Sequence, residues 1–358
     1  MKFSYAIGNP PYNMTKSNDS NSAAMNVSIW PAFIRESTKL ANTVLMIHPG
    51  GWATGEASER SIKADLVTNY HLKTFKYYSN SNDIFSNVNI DGGISITEFD
   101  STYNKEPTYY VDDEYKGIFD KNAIMFSNKY FEETFFKVFC KINGIKYQTT
   151  NQNINENNML KYVKGSIGSG VGNNIFGFSK DKNGDKVKES SAGMKNPVKC
   201  WANLSQEMRK GKFSWYYIEL DDLLDYPDYL FSSRKVMITA VGNGIYGGKG
   251  NVINNLPQIC DAKSTGSGIL WIFPKNNNDR ELNLIKSLFM TKTARYLMSI
   301  KQKGRFVNGF DCVPDYLELA KLLPEDALFT DEWFYKTFNF SEGLINEIET
   351  RVSPKVEK

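Results

Sequence analysis

Histidine is almost missing from this chain: His48 and His71 are the only two in 358 residues. The four cysteines, Cys140, Cys200, Cys260 and Cys312, stand far apart and form no CxxC pair. No zinc site can be assembled from these at a recognised spacing, so no metal is expected and the thiols read as isolated buried groups. The same shortage argues against a Ser-His-Asp hydrolase, although His48 alone stays open as a base. Long apolar runs are also lacking. None approaches the ~20 residues of a membrane-spanning helix, and no charged segment followed by a long apolar one opens the sequence. The expectation is a soluble, unexported, cytoplasmic protein with no membrane partner.

A strong charge of one sign is absent as well, with 43 Lys and Arg against 40 Asp and Glu. The distribution is uneven, however. Residues 1–150 are nearly balanced, whereas residues 161–250 carry 14 basic against 9 acidic side chains. Trp201, Phe213, Trp215, Tyr216 and Tyr217 are interleaved with this basic stretch. Cations for phosphates and rings for bases are what a polyanion-binding surface requires. A solvated lysine-rich face accounts for the same charge.

The length suits two or three domains. The first 148 residues read as α/β. Phe3–Ile7 is a short buried strand, and Trp30, Phe33 and Ile34 share a helical face with Pro31 in the first turn. Thr43–Ile47 is continuously apolar, the pattern of a parallel strand covered on both faces. A helix is expected around Glu59–Val67, and strands at His71–Tyr78, Val88–Phe99 and Pro107–Tyr115. Such alternation predicts a doubly wound, Rossmann-like sheet whose ligands bind beyond the carboxyl ends of its strands. Residues 149–158 are nearly all polar and read as a linker. Residues 159–358 suggest an irregular α+β domain, with strands at Lys235–Val241 and Gly268–Phe273 and a helix over Asp279–Gln302. Thr330 and Ser341 are expected to cap two terminal helices.

Two glycine-rich runs invite a nucleotide and do not earn one. Gly242–Gly247 spells GxGxxG after an apolar run, but GKGNVINNLP follows, with no helical period to offer its N-terminus to a phosphate. Gly165–Gly172 likewise leads into Asn173-Asn174-Ile175-Phe176. Pro314-Asp315 with Glu318 and Lys321 reads as a helix surface rather than a carboxylate cluster.

The most specific signal is Asn9-Pro10-Pro11-Tyr12. Two prolines fix their own φ angles, and Pro10 biases Asn9 towards an extended backbone. The turn therefore holds an amide and a ring in one relation, directly after a strand that ends in glycine. An amide oxygen and a nearby carbonyl can accept both hydrogens of an exocyclic amine, while the ring stacks on the heterocycle that bears it. A stiff turn between strand and helix is the plainer alternative.

With these residues the chain resembles the amino-methylating, adenine-specific DNA methyltransferases of restriction–modification systems that carry an NPPY motif before a C-terminal target-recognition domain. Ile47-His48-Pro49-Gly50-Gly51-Trp52 looks like that family's strand-then-tryptophan segment. Asp83-Ile84-Phe85 with Asp91-Gly92-Gly93-Ile94-Ser95 is similar to a later one, and Asn174-Ile175-Phe176-Gly177 to a run near the start of its recognition domain. Ser233-Arg234-Lys235-Val236, Gln258-Ile259-Cys260 and Phe310-Asp311-Cys312-Val313-Pro314 follow its order.

The resemblance implies that residues 1–148 are the later part of a methyltransferase catalytic domain and residues 159–358 a DNA target-recognition domain. It implies a flipped adenine in double-stranded DNA, whose amine is held by Asn9 and the Pro10 carbonyl. Tyr12 would stack on one face of the base and Phe85 on the other. Methyl transfer from S-adenosylmethionine is a displacement that needs positioning and electrostatics more than a strong base. Lys161, Lys164, Phe176, Arg234, Lys235 and Lys249 would contact the DNA.

One part of the pattern is missing. The family's cofactor loop precedes NPPY, and here eight residues precede Asn9. The expectation is a sheet that begins at its fourth strand, with no binding site for S-adenosylmethionine identified. Three readings stay open. They are the C-terminal part of a longer or split enzyme whose other part carries the cofactor loop, a free-standing relative that binds DNA or a base without methylating, and a chain that holds the cofactor through unrecognised residues. A second polypeptide carrying the cofactor half, or a restriction subunit, stays open as a partner.

Overall fold

The computed structural model describes residues 2–16, 25–54, 62, 65–66, 70–78, 80–86, 90, 93–119, 129–146, 188–202, 214–223, 228–239, 250, 252–253, 255–266, 269–300 and 312–355. Strand β1 (Phe3–Gly8) forms as expected but is not buried: it is the outermost strand of its sheet, and Phe3, Tyr5 and Ile7 are exposed. A small ribbon, β2 (Asn13–Lys16) and β3 (Met25–Ser28), follows. Helix α1 (Trp30–Leu40) carries Pro31 in its first turn, where the missing N–H is harmless, and buries Trp30 and Ile34. It leads straight into β4 (Ala41–Pro49). Then come β5 (Leu72–Tyr78), β6 (Ile94–Asp100), β7 (Thr108–Val111) and β8 (Glu114–Ile118). Residues 62 and 65–66 are helical, inside the helix expected around Glu59–Val67.

These strands form one six-stranded sheet in the order β1-β4-β6-β5-β7-β8. It is mixed. β1 pairs with β4, and β5 with β7, in parallel, while β6 runs antiparallel to both β4 and β5. An apolar run does not state its direction, so the expected doubly wound sheet is corrected at β6. The β7–β8 hairpin turns on Asp112 and Asp113, both at positive φ, as a two-residue hairpin loop requires. The expected double coverage of Thr43–Ile47 also fails. Val44 and Met46 are buried in the core with Trp30, Ile34 and Trp52, but Leu45 looks the other way and is exposed.

Helix α2 (Lys129–Ile142) packs into a second, larger core, with Phe131 tilted against Tyr296 at 4.5 Å. Two three-stranded sheets follow. One is β10 (Ser214–Glu219), β9 (Pro197–Ala202) and β13 (Ser264–Gly266). The other is β12 (Gln258–Cys260), β11 (Lys235–Thr239) and β14 (Ile269–Ile272). Val198, Cys200, Ile218, Met237 and Trp271 form a core from both.

The helix expected over Asp279–Gln302 is two helices, α3 (Asp279–Met290) and α4 (Lys292–Ser299). Thr291 breaks it: its backbone is extended, and its hydroxyl accepts the Ala294 N–H at 3.2 Å. The Asp331 carboxylate accepts the next two N–H groups, of Lys292 and Thr293, at 2.9 and 2.8 Å. Helices α5 (Tyr316–Ala320), α6 (Asp331–Thr337) and α7 (Glu342–Arg351) complete the helical core, and Thr330 and Ser341 cap α6 and α7 as expected.

All four cysteines are free and buried. Among the described residues no His, Cys, Asp and Glu cluster could hold a metal, and no helix is long and apolar enough to cross a membrane.

Candidate functional site

Four loops meet at one edge of the six-stranded sheet, and the strand register puts them there. β1 and β4 run together, with Gly8 opposite Met46. The last residue of β4, Pro49, faces the first of β6, Ile94, and the last of β5, Tyr78, faces Ile94 from the other side. The Asn9–Tyr12 turn, the Gly50–Trp52 segment, the Ser81–Phe85 loop and Gly93 thus share the carboxyl edge of β1, β4 and β5, where α/β sheets bind ligands.

Within the turn Asn9 is exposed, Pro10 buried and Pro11 exposed. Tyr12 is half-buried. Its carbonyl accepts the Ile29 N–H at 3.0 Å, which ties the turn to the start of α1. Its hydroxyl is buried with no hydrogen-bond partner among the described residues, and burial raises its pKa. The turn is therefore fixed on its inner side and presents an amide on its outer side.

Behind it lies a packed polar layer. The imidazole of His48 is fully buried and stacks on Trp30 at 4.3 Å, 8° from parallel. Its Nδ1 lies 3.1 Å from the Pro49 carbonyl and its Nε2 2.9 Å from Thr97 Oγ1. That network fits Nδ1–H donating and Nε2 accepting. Burial pushes the His48 pKa down to about 3, so the ring is neutral and serves as a spacer, not an open base. The Trp52 indole donates to Ser95 Oγ at 3.1 Å, and the Gly50 N–H to the Gly93 carbonyl at 2.9 Å. These bonds join the segment at residues 47–52 to Gly93 and Ser95 at the start of β6.

Phe85 is half-buried at the end of β5, with its N–H donating to the Ser81 carbonyl at 2.9 Å. Three strand spacings, roughly 14 Å, lie between the ends of β1 and β5. The sequence reading missed Ser81, which is buried and organises this loop. Its carbonyl also accepts from Ile84, and its hydroxyl accepts the Ile90 N–H at 2.9 Å. The signal was Asn80, which caps the short 3-10 helix Ser81–Asp83.

The expected DNA contacts divide. Lys161, Lys164, Phe176 and Lys249, both glycine-rich runs and the 149–158 linker lie outside the described residues. Arg234 is at the surface, paired with Asp279. Lys235 is buried instead. Its ammonium donates to the carbonyls of Leu230 and Ala262 and lies 4.9 Å from the Trp271 ring centroid and 5.5 Å from that of Phe231. It cannot reach a phosphate from there. On the β9–β10 ribbon, Lys199 is exposed with Nζ 4.9 Å over the Trp215 ring, and Trp201 meets Trp215 edge-on at 5.3 Å. This is the aromatic and cationic pairing that the basic stretch suggested.

Among the described residues no cradle for S-adenosylmethionine is identified. β1 is the outermost strand of its sheet, and the described residues supply no glycine-rich strand-to-helix turn beside it.

Comparison with known proteins gives one family. A model of the Eco57I restriction-modification methylase family matches residues 1–85, which include three of the four segments, the Asn9–Tyr12 turn, Gly50–Trp52 and Ser81–Phe85. No curated protein matches the chain. Among solved structures, a chain of a type I restriction–modification system is 19% identical over 38% of this chain and 30% of its own length, with a TM-score of 0.24. A modification subunit assigned to a type I restriction enzyme from Vibrio vulnificus YJ016 is 17% identical over 41% and 32%, with a TM-score of 0.24. The type IIL restriction-modification enzyme MmeI, in complex with DNA, is 9% identical over 97% and 54%, with a TM-score of 0.45. The chain thus spans between 30% and 54% of the length of these structures.

Proposed function

We propose that this chain is the base-gripping and DNA-contacting part of a site-specific DNA adenine methyltransferase that uses S-adenosylmethionine. The observation that carries this is the Asn9–Tyr12 turn at the carboxyl end of β1, with its amide exposed and its inner side tied to α1. The match of residues 1–85 to a restriction-modification methylase family supports it.

In this reading an adenine swings out of the duplex, because its amine is unreachable while paired and stacked. The Asn9 amide oxygen and the Pro10 carbonyl accept the two amine hydrogens and draw the nitrogen towards a nucleophilic form. Tyr12 stacks on the base, and Phe85 closes the other face once the loops lean together. The neutral His48 and its partners hold the floor rigid, so the gain comes from preorganisation rather than proton transfer. Arg234 and Lys199, with Lys161, Lys164, Phe176 and Lys249, contact the DNA. The methyl donor is held by residues other than those described.

A second reading is favoured by that same lack of a cradle: a DNA-recognition module that performs no chemistry. Labelled S-adenosylmethionine and duplex DNA separate the two. Transfer of label to adenine that vanishes in Asn9→Ala supports the enzyme. DNA binding with no transfer, in the presence of every polypeptide encoded nearby, supports the module.

A further inference from the structure

We infer that the cavity at the amino edge of β4 and β5 binds a phosphate-bearing small ligand of mononucleotide size. It encloses about 430 Å³, within the range of small-molecule sites. β4 is nine residues long, so the cavity lies roughly 26 Å from the loops at the carboxyl end of that strand. Four basic side chains line it, Lys2, Arg35, Lys39 and His71, and no carboxylate does. Glu36 bonds Arg35 and Lys39 from outside the lining, at 3.1 and 3.0 Å, one negative charge against two positive. Asp100 turns its carboxylate to the N–H and hydroxyl of Thr102, at 3.0 and 2.7 Å, and lies 3.8 Å from Lys73.

These cations are not taken up by the helix that ends beside them. The last carbonyls of α1 would repel an anion if left open. The Ser37 carbonyl accepts the Ala41 N–H, the Arg35 carbonyl the Thr38 hydroxyl at 2.9 Å, and the Thr38 carbonyl the Lys2 ammonium at 3.3 Å. Arg35 bonds Glu36 through Nε alone, which leaves its Nη groups without a partner among the described residues and able to grip an anion in a fork. His71 stands at φ 56°, a left-handed backbone that is uncommon outside glycine and gathers at ligand clamps. Its Nδ1 donates to the Tyr103 carbonyl at 2.9 Å, and its own carbonyl accepts the Asp100 N–H at 3.1 Å. Nε2, the acceptor of the neutral ring, has no partner among the described residues and suits a ribose hydroxyl.

The rest of the lining selects an organic phosphate over the bare ion. Val44 and Phe99 are buried and give the cavity an apolar wall, and the half-buried Tyr70 supplies a ring for a planar base. Asn42 and Ser101 add an amide and a hydroxyl. Inorganic phosphate would fill a fraction of this space and leave the wall wet. A DNA duplex is too wide to enter and would reach only the rim. Cations for a phosphate, a ring for a base and an acceptor for a sugar together describe a nucleoside phosphate.

Calorimetry on the full chain at low salt compares AMP and UMP with inorganic phosphate and with uridine. A nucleotide is expected to bind one-to-one with a dissociation constant below about 1 mM, and inorganic phosphate and uridine at least tenfold more weakly. Arg35→Gln combined with Lys39→Gln, at side chains 55% and 62% exposed, is expected to weaken the nucleotide at least tenfold without moving the urea midpoint. Asn9→Ala is expected to change nothing. Nucleotides bound no tighter than inorganic phosphate, or an affinity unmoved by the paired substitution, overturns the inference. So does an affinity that vanishes in Asn9→Ala, which would return the nucleotide to the turn at residues 9–12. Fluorescence titration of the same paired variant with duplex DNA distinguishes the other source of phosphate. A loss of duplex affinity, in a chain that binds no nucleotide, assigns these cations to DNA and overturns the inference as well. None of these measurements reads methyl transfer, so the cavity and the proposed function stand or fall separately.

Discussion

The indole of Trp30 and the imidazole of His48 lie face to face, 4.3 Å apart and 8° from parallel, and they join the first helix to the strand beneath it. The burial that creates this stack also forbids a charge on His48, whose folded pKa of about 3 lies below its ordinary 6.5. Above pH 6.5 the ring is neutral in both folded and unfolded chains. Between pH 6.5 and 3 only the unfolded chain takes up the proton, so stability falls as pH falls, by about 1.4 kcal/mol per pH unit. Urea midpoints at pH 7, 6 and 5 should show this slope in the wild type. His48→Asn should be less stable at pH 7 and lose most of the slope.

Gly93 supplies a sharper structural test. It sits at φ +73°, and a Cβ there would lie 2.4 Å from the Tyr78 carbonyl oxygen and 3.0 Å from the Tyr77 hydroxyl. Gly144 has a similar φ, +66°, with nothing within 4 Å. Gly144→Ala should cost only the left-handed backbone term, about 1 kcal/mol. Gly93→Ala adds a clash with main chain and should cost on the order of 3 kcal/mol or more. Equal unfolding free energies for the two variants would show that the loop at the β6 entrance yields easily.

What the sequence made legible was local. An apolar run ending in Gly8 before two prolines announces a strand and a fixed turn within a dozen residues. Thr330 and Ser341 announce helix starts because a cap bonds within its own first turn. What it hid depends on distant partners. Thr291 breaks the long helix, and the Asp331 carboxylate that holds the break lies forty positions on. The direction of β6 is invisible in an apolar pattern that looks the same either way. At the site, Asn9 and Tyr12 were named from the turn alone. The neutrality of His48 comes from its complete burial beneath Trp30, which no local pattern shows. Lys235 was read as a surface cation because a charge count cannot see carbonyls and rings closing over it.

That buried lysine makes its own prediction. Desolvation pulls the Lys235 pKa down to about 8 from its ordinary 10.5. Below pH 8 the amine is charged in both states, and the fold carries the full burden of a buried cation. Between pH 8 and 10.5 the folded chain gives up its proton first, so stability should rise with pH, by up to about 3 kcal/mol. Urea unfolding at pH 7.5, 9 and 10 checks this. Lys235→Met, of similar length, should flatten the rise while leaving DNA affinity within about twofold. A large loss of DNA affinity in a folded Lys235→Met protein would return this residue to the DNA-contacting set.

DNA binding itself should be steeply salt-dependent, because phosphate contacts release counterions. Fluorescence titration of a labelled duplex between 50 and 200 mM salt should show affinity falling at least tenfold. Lys199→Ala should lower the slope by about one contact's worth. Trp215→Ala, which removes the ring beneath that ammonium, should weaken binding without changing the slope as much. Affinity indifferent to salt would sink both the enzyme and the module readings.

The turn at residues 9–12 permits a finer dissection, because its parts are proposed to act differently. Asn9→Ala removes an acceptor for the adenine amine and nothing that the fold uses, since the side chain is exposed. Label transfer in the reconstituted mixture should fall at least a hundredfold, with DNA affinity and urea midpoint unchanged. Tyr12→Phe should retain transfer within a fewfold, because the hydroxyl it deletes has no partner among the described residues. Tyr12→Ala should lose the stacking platform, about 1–3 kcal/mol per base. A 2-aminopurine at the target position reports this directly, as its fluorescence rises when it leaves the stack. Asn9→Ala should still allow that rise, whereas Tyr12→Ala should blunt it. If both variants extruded the base equally and both kept transfer, the turn would be a stiff connection between β1 and β2 and nothing more.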